Sequence, residues 1–264
     1  MSESAVYRPH PEAPAQATLR PEARSDAWQG LNAQRFEIVS RGDFVPGILY
    51  LPDPPGQAPA PLLLLQHGTA EGMDSAALSC AAPWVREGLA VATIDLPLHG
   101  ERSSPKLSER LVSGIGQLSE ASKLDPETGA LVEEFARQAT SDLIRTLDAL
   151  TALPEIDSSR IGFMGFSVGA DAGSYLLAHD PRPRAAVLAW TGGGYQGSSD
   201  LDPAIHLANT SNTSVLIVAA SDDDALFRAT AKPKAFLRVP SQSRVLPDEA
   251  VAEIWRFLSK ELGL

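Results

Sequence analysis

Short, continuous apolar runs recur along this sequence, and they constrain its fold more than any other feature. Their length and their lack of polar alternation are typical of strands that are covered on both faces. Strands of this kind belong to parallel sheets, because helical connections cover both sides of such a sheet. The runs are Leu62–Leu65, Leu89–Ile94, Arg160–Met164, Ala185–Trp190, Val215–Ala219 and Ala235–Val239.

Helical patterns separate these runs, and two segments of alternating polarity precede them. Arg35–Ser40 and Gly47–Leu51 alternate as the strands of an antiparallel hairpin do. The last helical pattern follows Leu246–Glu249, where a proline and two acids favour a helix start. We therefore expect an α/β fold with a mainly parallel, doubly wound sheet. Apolar residues recur at helical spacing at Val132, Phe135, Ala139, Leu143, Leu147 and Leu150, and again at Val251, Ile254, Trp255 and Leu258.

The chain of 264 residues is long enough for one large domain or at most two, and we expect one domain over residues 31–264. Residues 1–30 contain four prolines among Ala, Glu and Arg, which predicts an extended, weakly ordered arm. Ser103–Thr128 interrupts the alternation with Ser, Gly, Lys and Glu. We interpret that segment as a small lid insertion over the sheet edge.

Composition excludes several classes of function. The net charge of −11 argues against a nucleic-acid or anionic-membrane partner, because either would require a cationic face. Pro61–Leu65 and its neighbours form the longest apolar run, which is far too short to cross a bilayer. The segment Met1–Arg24 lacks the basic start and apolar region of a secretory signal. The single cysteine, Cys80, excludes an internal disulfide and is consistent with a reducing, cytoplasmic location; we expect it to be a buried structural thiol.

A serine flanked by glycines follows the third apolar run. Gly165–Gly169 reads G-F-S-V-G and lies between a predicted strand and a predicted helix. In this context a sharp turn allows only small residues two positions before and after the serine, and it exposes the hydroxyl above the sheet. The turn also places the Ser167 hydroxyl at a helix N-terminus, which favours developing negative charge. Ser167 is therefore a candidate nucleophile.

Two other strand ends carry residues that suit this chemistry. Gln66–Ala70 follows the first apolar run, and we expect the backbone amides of Thr69 and Val168 to hold an oxyanion together. His67, in the same turn, is expected to brace the loop rather than to react. Ser221–Asp224 follows the fifth run, and Asp223 is the favoured acid for orienting a histidine.

At these residues the chain resembles the α/β-hydrolase superfamily and, within it, the dienelactone hydrolase-like and carboxylesterase group. The resemblance extends over Arg35–Leu264 and rests mainly on Asp157–Gly169, with support from His67-Gly68 and from Asp95–Arg102. It implies an α/β-hydrolase fold with Ser167 as nucleophile and Asp223 as triad acid. It also implies that the amides of Thr69 and Val168 form the oxyanion hole.

The expected catalytic histidine is missing from the sequence. The family pattern places it at Ser243, and no histidine follows His206. Three interpretations stay open: a base supplied from elsewhere, a binding or scaffold protein with a vestigial pocket, or an altered form of an active esterase. Among the remaining histidines, His99 and His206 are the candidates for a base or a supporting residue, whereas His179 and His10 are expected to lie away from the site.

We therefore expect a serine hydrolase that acts on small-molecule carboxylic esters through an acyl-enzyme, impaired by the missing base. The alternative is an inactive binding protein of the same fold. No metal site is expected, because the histidines have no ligand cluster near them, and no cofactor motif is present. Trp190 and Tyr195 are candidates for the pocket wall. The acyl group and the oligomeric state are not determined by the sequence.

Overall fold

A computed structural model describes most of the chain as one nine-stranded sheet with helices on both faces. The described residues are 15–24, 28–54, 58–119, 124–191, 201–208, 210, 212–220, 225–231, 233–239 and 245–264. The strands are β1 (Arg20–Glu22), β2 (Asn32–Ser40), β3 (Asp43–Leu51), β4 (Ala60–Gln66), β5 (Ala90–Ile94), β6 (Ile156–Phe166), β7 (Pro183–Ala189), β8 (Ser214–Ala219) and β9 (Lys234–Arg238). The helices are α1 (Ala82–Arg86), α2 (Pro105–Ser119), α3 (Pro126–Leu150), α4 (Val168–His179), α5 (Pro203–Leu207), α6 (Ala225–Ala229) and α7 (Asp248–Leu262).

The sheet is antiparallel at one side and parallel across the rest, as the sequence predicted. Its strand order is β1-β2-β3-β5-β4-β6-β7-β8-β9. The first three strands and β5 pair antiparallel, whereas every pair from β5 and β4 to β9 is parallel. The parallel strands end at one edge of the sheet, where ligands bind in folds of this class.

The continuous apolar character of β4 is explained by burial on both sides. Leu62 and Leu64 belong to the core cluster that contains the apolar stripe of α3, and Leu63 and Leu65 belong to the cluster that contains α1 and α7. All four leucines are fully buried. A strand between two helical layers therefore has no solvent face on which polar residues would alternate.

The segment Ser103–Thr128, which we interpreted as a lid, is helical over most of its described length. It contains α2 and the first residues of α3. Leu111 of α2 is fully buried in the core, and Gly114 packs closely against Thr128. Arg110 also donates hydrogen bonds to Asp125, Glu127 and Thr128, so α2 is fixed to the start of α3. That α2 acts as a lid stays a prediction.

The stretch before residue 31, which we expected to be an arm, contributes in part to the folded domain. Arg20–Glu22 forms the edge strand β1 and pairs with β2. Trp28 is buried and stacks on Tyr50 of β3, with ring centroids 4.1 Å apart. The boundary that we placed at residue 30 therefore lies inside a packed region, because these contacts depend on the tertiary structure.

Gly173 of α4 provides a test of the packing between α4 and the sheet. A Cβ atom at this position would overlap the ring of Phe163, which is fully buried in β6. We expect Gly173→Ala to lower the free energy of unfolding by about 1–3 kcal/mol, because the core would be overpacked. Urea denaturation monitored by circular dichroism measures this change.

Gly129→Ala is the matched control, since nothing lies within 4 Å of a Cβ atom at that helical position. Alanine has the higher helix propensity, so this variant should be unchanged or more stable by up to about 1 kcal/mol. Equal stability losses in the two variants would contradict the close contact between α4 and β6.

Candidate active site

Four strained residues mark the C-terminal edge of the parallel strands. Ala70, Leu98, Ser167 and Trp190 all have positive φ values, between 49° and 60°, and follow β4, β5, β6 and β7 respectively. Residues other than glycine adopt this conformation rarely, and strain of this kind clusters at functional sites. The fifth such residue among those described, Arg41, lies in the hairpin turn between β2 and β3.

Ser167 occupies a sharp turn between β6 and α4. Its φ and ψ angles are 49° and −119°, and it caps the N-terminus of α4. A Cβ atom at Gly165 would lie 2.5 Å from the backbone of Gly169, and one at Gly169 would overlap the carbonyl oxygen of His67. Both glycines are therefore required by close backbone approach, as the pentapeptide predicted.

The Ser167 hydroxyl lies beside the turn that follows β4. Its Oγ is 3.2 Å from Oγ1 of Thr69, which places a second hydroxyl in hydrogen-bond range. Val168 is the first residue of α4, and the first N–H groups of a helix have no partner within the helix. The predicted nucleophile and the two predicted oxyanion residues thus come together at one point of the sheet edge. Their catalytic roles stay predictions.

Backbone hydrogen bonds hold Ser167 in its strained conformation. Its N–H donates to the carbonyl oxygen of Ala189 in β7 at 2.8 Å. Its own carbonyl oxygen accepts from the N–H groups of Ala170 and Asp171 at 2.8 and 3.0 Å. The turn is therefore fixed from the neighbouring strand and from the helix that it starts.

His67 braces the turn after β4, as expected. Its Nδ1 lies 2.9 Å from the carbonyl oxygen of Gly68, and its Nε2 accepts the N–H of Leu96 at 3.1 Å. The imidazole is fully buried, and this burial lowers its pKa to about 3. A neutral ring with both nitrogens engaged in the loops is a structural element and not a base for Ser167.

Glu71 is a structural residue of the same turn that sequence analysis missed. Its Oε2 accepts the N–H of Gly68 at 3.1 Å and the hydroxyl of Ser75 at 2.7 Å. The carboxylate therefore fixes the backbone next to Thr69. An acid three residues after the glycine of the turn was the available signal for this contact.

Asp95–Arg102 forms a second rigid turn after β5. The carboxylate of Asp95 accepts the N–H groups of Met73 and Glu101, each at 2.7 Å. Arg102 donates to the Asp95 carbonyl oxygen and to the buried Asp142 of α3 at 3.0 and 2.7 Å. Burial raises the pKa of Asp142 to about 6, although Arg102 opposes this rise. The turn is thereby tied both to the loop after β4 and to α3.

His99 lies in this second turn and faces a cleft. Its Nδ1 is 2.8 Å from the Pro97 carbonyl oxygen, and its Nε2 is buried without a hydrogen-bond partner. Only 3% of the residue is exposed, and desolvation lowers its pKa. No hydrogen bond between His99 and Ser167 is present in the described residues, so a role as base stays a prediction.

His206, the other candidate for a base or a supporting residue, lies in α5. It packs against Tyr175 and His179 of α4, with ring centroids 4.9 and 6.1 Å away. These partners lie about 12 and 18 Å along α4 from Ser167, given a rise of about 1.5 Å per residue. The contacts of His206 therefore lie on the far half of α4, and a role for it beside Ser167 stays a prediction.

Four other positions were singled out in the sequence, and the structure describes one of them. Asp223, Ser243 and Tyr195 lie outside the described residues. Trp190 lies directly after β7, and its ring centroid is 5.8 Å from that of Phe166. Its Nε1 is buried without a hydrogen-bond partner. Trp190 is thus at the correct edge for a pocket wall, a role that stays a prediction.

The fold and the turn at Ser167 define the chain as an α/β-hydrolase-fold protein. The model of the dienelactone hydrolase family matches residues 105–235, so the chain is similar to that family over this range. This match includes Ser167 and ends before position 243. No curated protein matches the sequence significantly.

Solved structures of esterases share the fold. Acetyl xylan esterase 1 from Thermoanaerobacterium sp. JW/SL YS485 has a TM-score of 0.68 at 14% identity, covering 92% of this chain and 87% of that one. An acetyl xylan esterase from Paenibacillus sp. R4 has a TM-score of 0.66 at 18% identity, with coverages of 94% and 89%. A cold-adapted esterase from an Arctic intertidal metagenomic library has a TM-score of 0.68 at 21% identity, with coverages of 92% and 97%.

Among the described residues, none of the helices has the length and apolar character that a membrane span requires. In the same part of the chain, no three histidine, cysteine or acidic side chains are grouped closely enough to hold a metal ion.

The buried neutral state of His67 predicts a pH dependence of stability. Its pKa is lower in the folded protein than in the unfolded chain, so the unfolded state binds the proton first as the pH falls. The free energy of unfolding should therefore decrease as the pH falls from about 6.5 towards 3. Urea denaturation at a series of pH values measures this decrease.

His67→Gln separates this effect from the titration of carboxylates. The variant has no ring to protonate, so its curve should fall less steeply than the wild-type curve between pH 6.5 and 4.5. Parallel curves for the two proteins would show that His67 is not held neutral by the fold.

Proposed function

We propose that this protein is a serine hydrolase of small-molecule carboxylic esters, with Ser167 as the nucleophile. The observation that carries the proposal is the strained turn that presents Ser167 at the N-terminus of α4, beside the Thr69 hydroxyl. The dienelactone hydrolase family match and the esterase structures of the same fold support a hydrolase.

The proposed reaction proceeds in two steps. The Ser167 hydroxyl loses its proton to a base while its oxygen bonds to the ester carbonyl carbon, and the N–H groups of Thr69 and Val168 stabilise the oxyanion. Collapse breaks the bond from the carbonyl carbon to the alkoxide oxygen, which takes the proton from the base and leaves as the alcohol, and an acyl group stays on Ser167. Water then attacks the acyl carbon by the same route and releases the carboxylic acid.

The proposed site has no histidine at the position expected for the base. We propose Asp223 as the orienting acid and position 243 as the place where the family carries its histidine, but this chain has Ser243 there. A serine cannot accept the proton usefully at neutral pH. Removal of a triad base costs on the order of 10⁴–10⁶ in turnover, so activity is expected to be low.

The second candidate function is that of a binding protein with the same pocket. The serine at position 243 is the observation that favours it, because a site without a base binds an ester but turns it over slowly. Both candidates share Ser167 and its turn and differ in whether a bond to Ser167 forms.

Labelling with a fluorophosphonate tests the proposal, because the probe forms a phosphorus–oxygen bond with an activated serine and releases fluoride. We expect slow labelling of the wild-type protein at Ser167 and none of Ser167→Ala. Ser243→His should raise the rate at least about 100-fold, which is the usual contribution of a positioned base. Mass spectrometry identifies the modified residue and gives the rates.

Ser243→Gln is the control, since it adds volume and polarity but no base at neutral pH. If the wild type and Ser243→His are both folded and neither is labelled, the result contradicts a hydrolase and favours the binding function. Rapid wild-type labelling would instead show that another residue supplies the base.

The hydroxyl of Thr69 gives a separate prediction about the nucleophile. Thr69→Val keeps the backbone amide and the shape of the side chain but removes the partner 3.2 Å from the Ser167 Oγ. We expect about a fivefold lower labelling rate, the effect of losing one neutral hydrogen bond of about 1 kcal/mol. Thr69→Ser keeps the hydroxyl and should be labelled nearly as fast as the wild type. Equal labelling rates for Thr69→Val and the wild type would contradict a functional contact between the two hydroxyls.

A further inference from the structure

A cleft of about 900 Å³ opens next to the proposed reaction centre. The loops after β4 and β5 line it with Ala70–Gly72 and Leu98–Gly100, and α2 contributes Ser108, Glu109 and Val112. Ala70 directly follows Thr69, whose hydroxyl contacts Ser167. The cleft therefore begins one residue from the site and is the natural place for the non-reacting part of a substrate.

Among the described residues, the charged side chains that line this cleft have one sign. Its carboxylates are Glu71, Asp74 and Glu109, and no lysine or arginine is among the described residues that line it. Arg24 forms an ion pair with Asp74 and offsets one of these charges. Lys106 precedes Glu109 by one turn of α2 but does not line the cleft. A net negative potential remains, and it adds to the overall charge of −11.

Two polar side chains beside the cleft have no hydrogen left to donate to a ligand. The Nδ1–H of His99 bonds to the Pro97 carbonyl oxygen, so the buried and unpartnered Nε2 is an acceptor. Ser108 donates its hydroxyl to the Leu98 carbonyl oxygen and accepts the N–H of Ser104. Ser75 donates to Glu71, and Ser103 adds one further hydroxyl to the lining. The described lining therefore offers a carboxylate no cationic partner.

We propose that the cleft selects esters that carry a positively charged ammonium group and disfavours esters that carry a carboxylate. This inference rests on the proposed function and names its substrate class. The carboxylates attract the cation over several ångströms. The methyl groups of Ala70, Ala76, Ala77 and Val112 suit the carbon atoms bonded to the nitrogen.

The test uses three acetate esters of similar size that differ in charge: the esters of 2-(trimethylammonio)ethanol, of 3,3-dimethylbutanol and of 3-hydroxypropanoate. Hydrolysis by Ser243→His gives kcat/KM for each. Binding to Ser167→Ala, measured by calorimetry, gives Kd without any reaction. At low salt we expect the cationic ester to have a kcat/KM about 100-fold higher and a Kd about 100-fold lower than the anionic ester, with the neutral ester between them. The ratio should shrink at 0.5 M salt, because exposed charges are screened.

Glu109→Gln removes one charge of the cleft. It should reduce the preference for the cationic over the anionic ester, measured as the ratio of their kcat/KM values, about 3- to 10-fold. Glu155→Gln is the matched control with the same change of charge. Glu155 precedes β6, whose 11 residues separate it from Ser167 by about 35 Å at about 3.3 Å per residue. The preference of Glu155→Gln for the cationic ester should therefore stay at the wild-type value.

The outcomes separate the two proposals. A cationic preference in binding to Ser167→Ala, with no hydrolysis or labelling of the active forms, would support the cleft and overturn the hydrolase. Hydrolysis with equal or reversed charge preference would support the hydrolase and overturn the selectivity of the cleft. Failure of all three esters to bind would overturn the inference as well.

Discussion

The close approach of α4 to the end of β4 is the contact on which the rest of this site depends. Gly169 has no side chain, so the first turn of α4 lies directly on the His67 carbonyl oxygen. This approach brings the helix N-terminus to the turn that carries Thr69, and the two hydroxyls meet at 3.2 Å. Any larger residue at position 169 would separate the helix from the turn, and with it the nucleophile from its partner.

Rigid loops maintain this contact under strain. A residue such as Ser167 with a positive φ costs about 1–3 kcal/mol, and it persists only where its surroundings determine it. Here the surroundings are the buried His67 and Asp95, which bind backbone groups of a neighbouring loop, and Glu71, which binds the backbone of its own loop. Hydrogen bonds of this kind place the site before any ligand binds, which is the basis of electrostatic preorganisation.

The elements with strong local signals could be predicted from the sequence, and those that depend on tertiary contacts could not. The buried parallel strands and the turn at Ser167 were predicted because continuous apolar runs and the two glycines are local features. Strand β6 begins at Ile156, earlier than predicted, because the polar residues after it conceal the start of the strand. Strand β1 was missed, since an edge strand of three residues is stabilised by its neighbour. The position of His206 depends on how α5 packs against α4, which no local pattern specifies.

Binding and proton transfer are separable in a site of this kind, and under the proposed function the serine at position 243 bears on the second. Loss of the base leaves the residual catalysis that oxyanion stabilisation and positioning supply, about 10³–10⁴ over water. The hydrogen bonds that hold Ser167 come from β7 and α4, and the carboxylates of the cleft belong to the loop after β4 and to α2. A slow hydrolase and a binding protein would therefore recognise the same ligands, and the charge of the cleft would set their chemistry in either case. The two candidate functions differ in the lifetime of the bound ester and not in which ester is bound.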